Sequence, residues 1–149
     1  MSRIIKTIIM VTVVAFSVEV CQGGKKVEGA SLTHADAAVI LAKYSGYFDR
    51  YVAEDASLDE CVSFLNRTGV YFGLMEVING SVFTKKDCAK ALGQVSLVLS
   101  GEAEYVSGKI KLPVEIGSWE EFCMLNRVDY VGSYQTMLDM LIALYEQKE

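Results

Sequence analysis

Few residues of this chain have the type and spacing that catalysis requires. His34 is the single histidine among 149 residues, and a general base of this kind needs a nucleophile and an orienting group beside it. No such set can be recognised in the sequence. His34 also follows directly on a predicted helix start, where side chains usually face solvent. We therefore name no catalytic residue and predict that His34 lies on the surface.

Acidic and sulfur-containing residues form no recognisable metal motif. The acidic residues that follow the first predicted helix lack the alternating oxygen ligands and the glycine of a calcium loop. With no Cys-x-x-Cys pair and one histidine, the sequence does not predict a structural zinc site. We predict no metal and no cofactor. The acidic residues are Asp49, Asp55, Asp59 and Glu60.

Three cysteines fall within apolar helical patterns, namely Cys61, Cys88 and Cys123. Buried free thiols that pack as small apolar side chains are the favoured interpretation. A disulfide stays open as the alternative, because the predicted compartment permits it. The sequence does not determine which of these cysteines would pair.

Helix starts are the clearest local signals. Thr33 and Thr84 each precede an aspartate by three residues, the spacing of a capping box, and Ser57 and Ser118 occupy similar positions. Apolar periodicity behind these caps predicts five helices at residues 33–51, 57–68, 84–99, 118–127 and 133–147. The fold class is therefore all-α.

Glycines and short segments define the connections between these helices. Gly69 is placed to end the second helix, whereas Gly46 falls inside the first helix, where we expect it to admit a close neighbouring helix. Residues 74–78 are too few for a stable helix of their own. Residues 102–112 are predicted to be mostly loop. Polar and apolar residues alternate near the end of this segment as in a strand, but no partner strand is evident.

The amino-acid composition predicts one globular domain. Hydrophobic residues make up 52% of the chain, which is enough for one core. The net charge of -5 excludes a nucleic-acid-binding protein of the usual kind, because such a protein needs a basic face.

The N-terminus predicts export from the cytoplasm. Arg3 and Lys6 precede an apolar run at residues 7–16, which is short for a membrane span and typical of a signal peptide. A cut before Val18 makes residues 1–17 the signal peptide and residues 18–30 a flexible linker. Alternatively, residues 1–20 are a lipoprotein signal and Cys21 is lipidated, or the apolar run remains as an uncleaved membrane anchor.

Two pairs of segments repeat within residues 31–149. Residues 31–38 resemble 82–89, and residues 65–73 resemble a shorter segment at 125–132. The repeated unit is a helix, a glycine-containing loop and a second helix. Gly69-Val70, Gly73, Gly80, Phe83 and Thr84-Lys85-Lys86-Asp87 match, in order, the repeat of the S-layer homology family, and residues 32–36 match its helix start.

This resemblance implies a domain in which helical repeats pack together and bind an anionic envelope polymer at the helix starts. The family's arginine position is occupied here by His34 in one copy and Lys85 in the other, and the third copy lacks the motif. We therefore predict ligand binding at His34, Lys85, Asp87 and Tyr71. The predicted protein is a non-catalytic envelope module for a glycan polymer or an envelope protein. The alternative is a small exported enzyme of unidentified reaction.

Overall fold

The computed structural model describes residues 31–147. Within them the chain forms six helices and one two-stranded sheet, so the fold is mainly helical, and the predicted all-α class with five helices is confirmed at that coarser level. The predicted signal peptide, the linker and Cys21 lie outside the described residues. The elements are α1 (His34–Lys43), α2 (Leu58–Thr68), α3 (Leu74–Ile78), α4 (Lys85–Ser100), β1 (Tyr105–Val106), β2 (Lys109–Ile110), α5 (Trp119–Leu125) and α6 (Tyr130–Gln147).

Side chains cap four of the helices at the predicted residues. Thr33, Ser57, Thr84 and Ser118 each accept a hydrogen bond from the backbone N–H three residues later. At Thr33 and Thr84 the aspartate three residues later also accepts from the cap backbone, which completes a capping box. Local sequence therefore determines where α1, α2, α4 and α5 begin.

The first helix ends earlier than predicted. α1 stops at Lys43 rather than near residue 51, and Gly46 adopts a φ of 86°, which an α-helix does not contain. Phe48 is nonetheless buried. It reaches the core from a turn after α1, and its apolar spacing in the sequence therefore suggested a longer helix. A Cβ on Gly46 would meet no atom within 4 Å, so the predicted close neighbour is absent there.

The close helix approach occurs at Gly93 of α4 instead. A Cβ at this position would lie 2.5 Å from the Trp119 ring and 3.2 Å from the Phe122 ring. Because real Cβ contacts are not that short, Trp119 can approach α4 this closely only because position 93 carries no side chain.

Residues 74–78 form the short helix α3, although no helix was predicted there. Val77 is buried, and α3 packs against α1. Tertiary packing therefore stabilises a helix that is too short to persist alone.

Two further boundaries differ from the prediction. Residues 105–110 form a hairpin in which Tyr105 pairs with Ile110, and the turn residues Ser107 and Gly108 both have positive φ. The last helix begins at Tyr130 rather than at residue 133. The Asp129 carboxylate accepts a hydrogen bond from the Gly132 N–H at 2.9 Å, which caps the helix earlier.

The main hydrophobic core lies among α1, α2, α4 and α6. A smaller core joins α4, α5 and the hairpin through residues such as Ile110 and Phe122. Gly69 links the two regions, because its φ of 100° ends α2 and its missing side chain makes room for Ile110 and Tyr105. The hairpin therefore packs on the end of α2, next to the loop that precedes α3.

Candidate ligand-binding site

The starts of α1 and α4 lie side by side. Thr33 and Val82 form an antiparallel bridge. Beside it, the Leu32 carbonyl accepts from the Phe83 N–H at 2.7 Å, and the Ser81 carbonyl accepts from the His34 N–H at 3.0 Å. Backbone hydrogen bonds thus join the two segments, 31–38 and 82–89, that resemble each other in sequence.

His34 is enclosed between these segments. Its Nδ1 lies 3.0 Å from the Ser81 carbonyl oxygen, which can only accept, so Nδ1 carries the proton. The ring meets Phe83 edge-on at a centroid distance of 5.3 Å and Phe72 at 6.4 Å. The side chain is 14% exposed, so the prediction of a surface histidine is wrong. The segment following α3 covers it, and local sequence gave no sign of that contact.

Asp87 connects the cap of α4 with the first residue of α1. Its Oδ2 accepts from the Thr84 backbone N–H and from the Thr84 hydroxyl, each at 2.9 Å. The same oxygen lies 3.8 Å from His34 Nε2. One carboxylate therefore fixes a helix start and faces the neighbouring helix.

Two amide side chains hold the loop that contains Tyr71. Gln94, which is 1% exposed, accepts from the Tyr71 N–H at 3.1 Å. Asn66 accepts from the Phe72 N–H at 2.7 Å and donates to the Phe72 carbonyl at 3.1 Å. Satisfied buried polar contacts of this kind fix backbone position. Tyr71 is thus presented on a well-determined backbone.

Two lysines lie near the Tyr71 ring. Lys109 Nζ is 4.1 Å from the ring centroid and Lys90 Nζ is 5.6 Å from it, both within cation–π range. Tyr71 as a whole residue is 37% exposed, so it is accessible to a ligand.

A pocket of about 200 Å³ opens among α1, α3 and α4. It brings together the predicted residues His34, Tyr71 and Asp87, whereas the predicted Lys85 is exposed at the first position of α4 and does not line it. The remaining lining residues are Phe72, Gly73, Glu76, Phe83, Lys90 and Ala91.

Sequence reasoning proposed binding through the loops at residues 71–80 and 130–134 but did not name Glu76 or Lys90 as site residues. Lys90 follows Asp87 by three residues on one helix, and this spacing places both on the same face, so a signal was available. Glu76 lies on α3, whose formation depends on tertiary packing, and no local pattern indicated it.

Two catalytic arrangements can be checked at the pocket, a metal cluster and a base beside a nucleophile. Among the described residues, no three or more His, Cys, Asp or Glu side chains come together as metal ligands. Aromatic rings, the Ser81 carbonyl and Asp87 surround His34, and none of these is a nucleophile that it could activate.

The cysteines 61, 88 and 123 are buried free thiols, as the favoured interpretation predicted. Burial raises the pKa of Cys88 to about 12, with a smaller contribution from Cys123, and raises the pKa of Cys123 to about 11. Burial also raises the pKa of Cys61. These thiols therefore stay protonated at neutral pH and are poor nucleophiles.

Comparison with known proteins finds no relative, because no protein-family model, curated protein or solved structure matches the chain. The S-layer homology resemblance thus stays a prediction from short motifs. Over residues 31–147, no helix is both long enough and apolar enough to cross a membrane.

Proposed function

We propose that this chain is an exported, non-catalytic envelope protein that binds an envelope polymer or an envelope protein through the pocket among α1, α3 and α4. One observation supports the proposal most directly: aromatic faces and charged side chains converge at the junction of two similarly capped helices. The export-type N-terminus and the S-layer homology resemblance support the same proposal.

The lining of the pocket suits a polymer that contains sugars. Tyr71 is exposed and offers an aromatic side chain, Phe72 and Phe83 form a buried apolar wall, and charged groups at the rim can bond hydroxyl and acidic groups. Phe72 and Phe83 stack at a centroid distance of 5.9 Å, which gives the pocket a rigid apolar side. Lys90 and Lys109 beside Tyr71 favour a segment of the polymer that carries negative charge.

The test is co-sedimentation of the purified protein with isolated envelope polymer. We expect binding that weakens as salt rises past the point where the Debye length falls below about 8 Å. Lys90→Glu should weaken binding about tenfold or more, because the charge lines the pocket. Lys85→Glu tests the predicted helix-start site and should weaken binding less, and Lys86→Glu is the matched control.

Two results would refute the proposal. One is no binding to any envelope fraction by a folded protein. The other is binding that neither salt nor Lys90→Glu nor Lys85→Glu changes, because the pocket and the helix start would then take no part in it.

A further inference from the structure

The pocket contains charges of both signs that do not neutralise each other. Glu76 lines it from α3 and Lys90 lines it from α4. Among residues 31–147, the one basic and acidic side-chain pair within 4 Å is His34 with Asp87, so Glu76 and Lys90 form no ion pair. An acid and a base that face one pocket without pairing can each attract an opposite charge on a ligand.

The Glu76 carboxylate is the acidic group left for a ligand. Asp87 is already engaged by the Thr84 backbone, the Thr84 hydroxyl and His34. Glu76 instead folds back over Gly73, where an added Cβ would overlap its carboxylate. Gly73 has a φ of -68°, which any residue adopts, so a larger residue here would require only that the flexible Glu76 side chain rotate away.

The basic side of the pocket is next to Tyr71. Lys90 Nζ lies 5.6 Å from the Tyr71 centroid, and Lys109 Nζ lies on the same ring at 4.1 Å. Phe72 and Phe83 line the same pocket as buried apolar side chains. The arrangement is therefore acidic at Glu76, apolar at the rings and basic at Lys90.

We propose that the pocket binds a zwitterionic unit, one small molecular frame that carries both an ammonium and a carboxylate group. The ammonium contacts Glu76 and the carboxylate contacts Lys90. This inference rests on the proposed function, because it specifies which part of an envelope polymer is recognised. Two sources share the chemistry: the free ends of short peptides and amino sugars that carry a carboxylate.

Matched small molecules test the two charges separately. Muramic acid carries both charges, N-acetylmuramic acid carries the carboxylate alone, and glucosamine carries the ammonium alone. The peptide series is alanylalanine with its N-acetylated and its C-amidated forms. Each is titrated into the full chain while the amide NMR signals of Tyr71 and Gly73 are followed. We expect the zwitterion of at least one series to bind about tenfold tighter than both single-charge analogues.

Charge-removing variants identify the residue that recognises each group. In Glu76→Gln, the zwitterion should no longer bind more tightly than the analogue that lacks the ammonium group. In Lys90→Gln, the zwitterion should no longer bind more tightly than the analogue that lacks the carboxylate group. The exposed residues Lys86 and Glu102 provide controls, since Lys86→Gln and Glu102→Gln should keep both preferences. A variant that merely loosened the fold would weaken all ligands alike, so the two separate losses report recognition.

The outcomes separate this inference from the proposed function. A preference confined to the sugar series or to the peptide series supports the inference and identifies the source. Polymer binding without any preference for zwitterions overturns the inference and leaves the proposed function standing. If neither the polymer nor any probe binds the folded protein, both are overturned.

Discussion

The starts of α1 and α4 have the same capping box and very different surroundings. Thr33 and His34 are partly buried, whereas Thr84 and Lys85, at the equivalent positions, are exposed. The segment 81–83 lies against His34, and the described residues place no equivalent segment against Lys85. A repeated sequence therefore reproduces the local backbone, while the neighbouring segment decides what each position contributes to stability and binding.

Removal of His34 is the strongest test of this difference. His34→Ala loses the hydrogen bond to the Ser81 carbonyl and the contacts with Phe72 and Phe83. We expect the free energy of unfolding to fall by about 2 to 3 kcal/mol, measured by urea denaturation. A loss under about 0.5 kcal/mol would show that His34 is not enclosed.

Loss of the cap should likewise destabilise the protein more at α1 than at α4. Thr33→Ala removes hydrogen bonds with Asp36 in a partly buried site, and we expect a loss of about 2 kcal/mol. Thr84→Ala removes the same bonds in an exposed site, where about 1 kcal/mol is expected. Chemical denaturation of both variants gives the comparison, and equal losses would contradict it.

Cys88 occupies the position in the second copy that Ala37 occupies in the first. Because burial raises the Cys88 pKa from 9.0 to about 12, the unfolded chain releases its thiol proton first as pH rises. The free energy of unfolding should therefore fall above pH 9, by up to about 1.4 kcal/mol per pH unit from this thiol.

Between pH 9 and the raised pKa of about 12, Cys88→Ala should reduce the slope with which the free energy of unfolding falls. A difference in the free energy of unfolding that is already present at neutral pH reports lost packing. Denaturation curves of both proteins across this pH range test the effect. Identical slopes would show that the Cys88 thiol ionises as readily in the folded chain as in the unfolded one.

The smallest expected effect is at Lys85. Its side chain is exposed and forms no ion pair with the other described residues, so Lys85→Ala should change the free energy of unfolding by less than about 0.5 kcal/mol. A larger loss in the same urea experiment would place Lys85 in a contact like that of His34.

Local signals predicted the parts of the fold that local chemistry controls. Helix starts at Thr33, Ser57, Thr84 and Ser118 depend on one side chain and the backbone beside it, and all were predictable. The hairpin was missed because Ser107-Gly108 is a weaker turn signal than Asn-Gly, although its residues adopt the required positive φ.

The candidate site was predictable only as far as it follows from the helix starts. His34 and Asp87 were identified through their caps, and the pocket brings them together. Their contact depends on the bridge between Thr33 and Val82, which no local pattern encodes. The position of Glu76 depends on α3, a short helix that is stabilised by burial of Val77 in the core.

That bridge also affects the order in which the chain folds. His34 and Ser81 are 47 positions apart, so their contact closes a long loop, and the chain loses that entropy before His34 joins the pocket. The helices and their caps need no such closure and can form early. We therefore expect contacts at the bridge to form late, so that weakening them accelerates unfolding more than it slows folding. The lifetime of the assembled pocket is then governed by the rate at which these two distant segments separate.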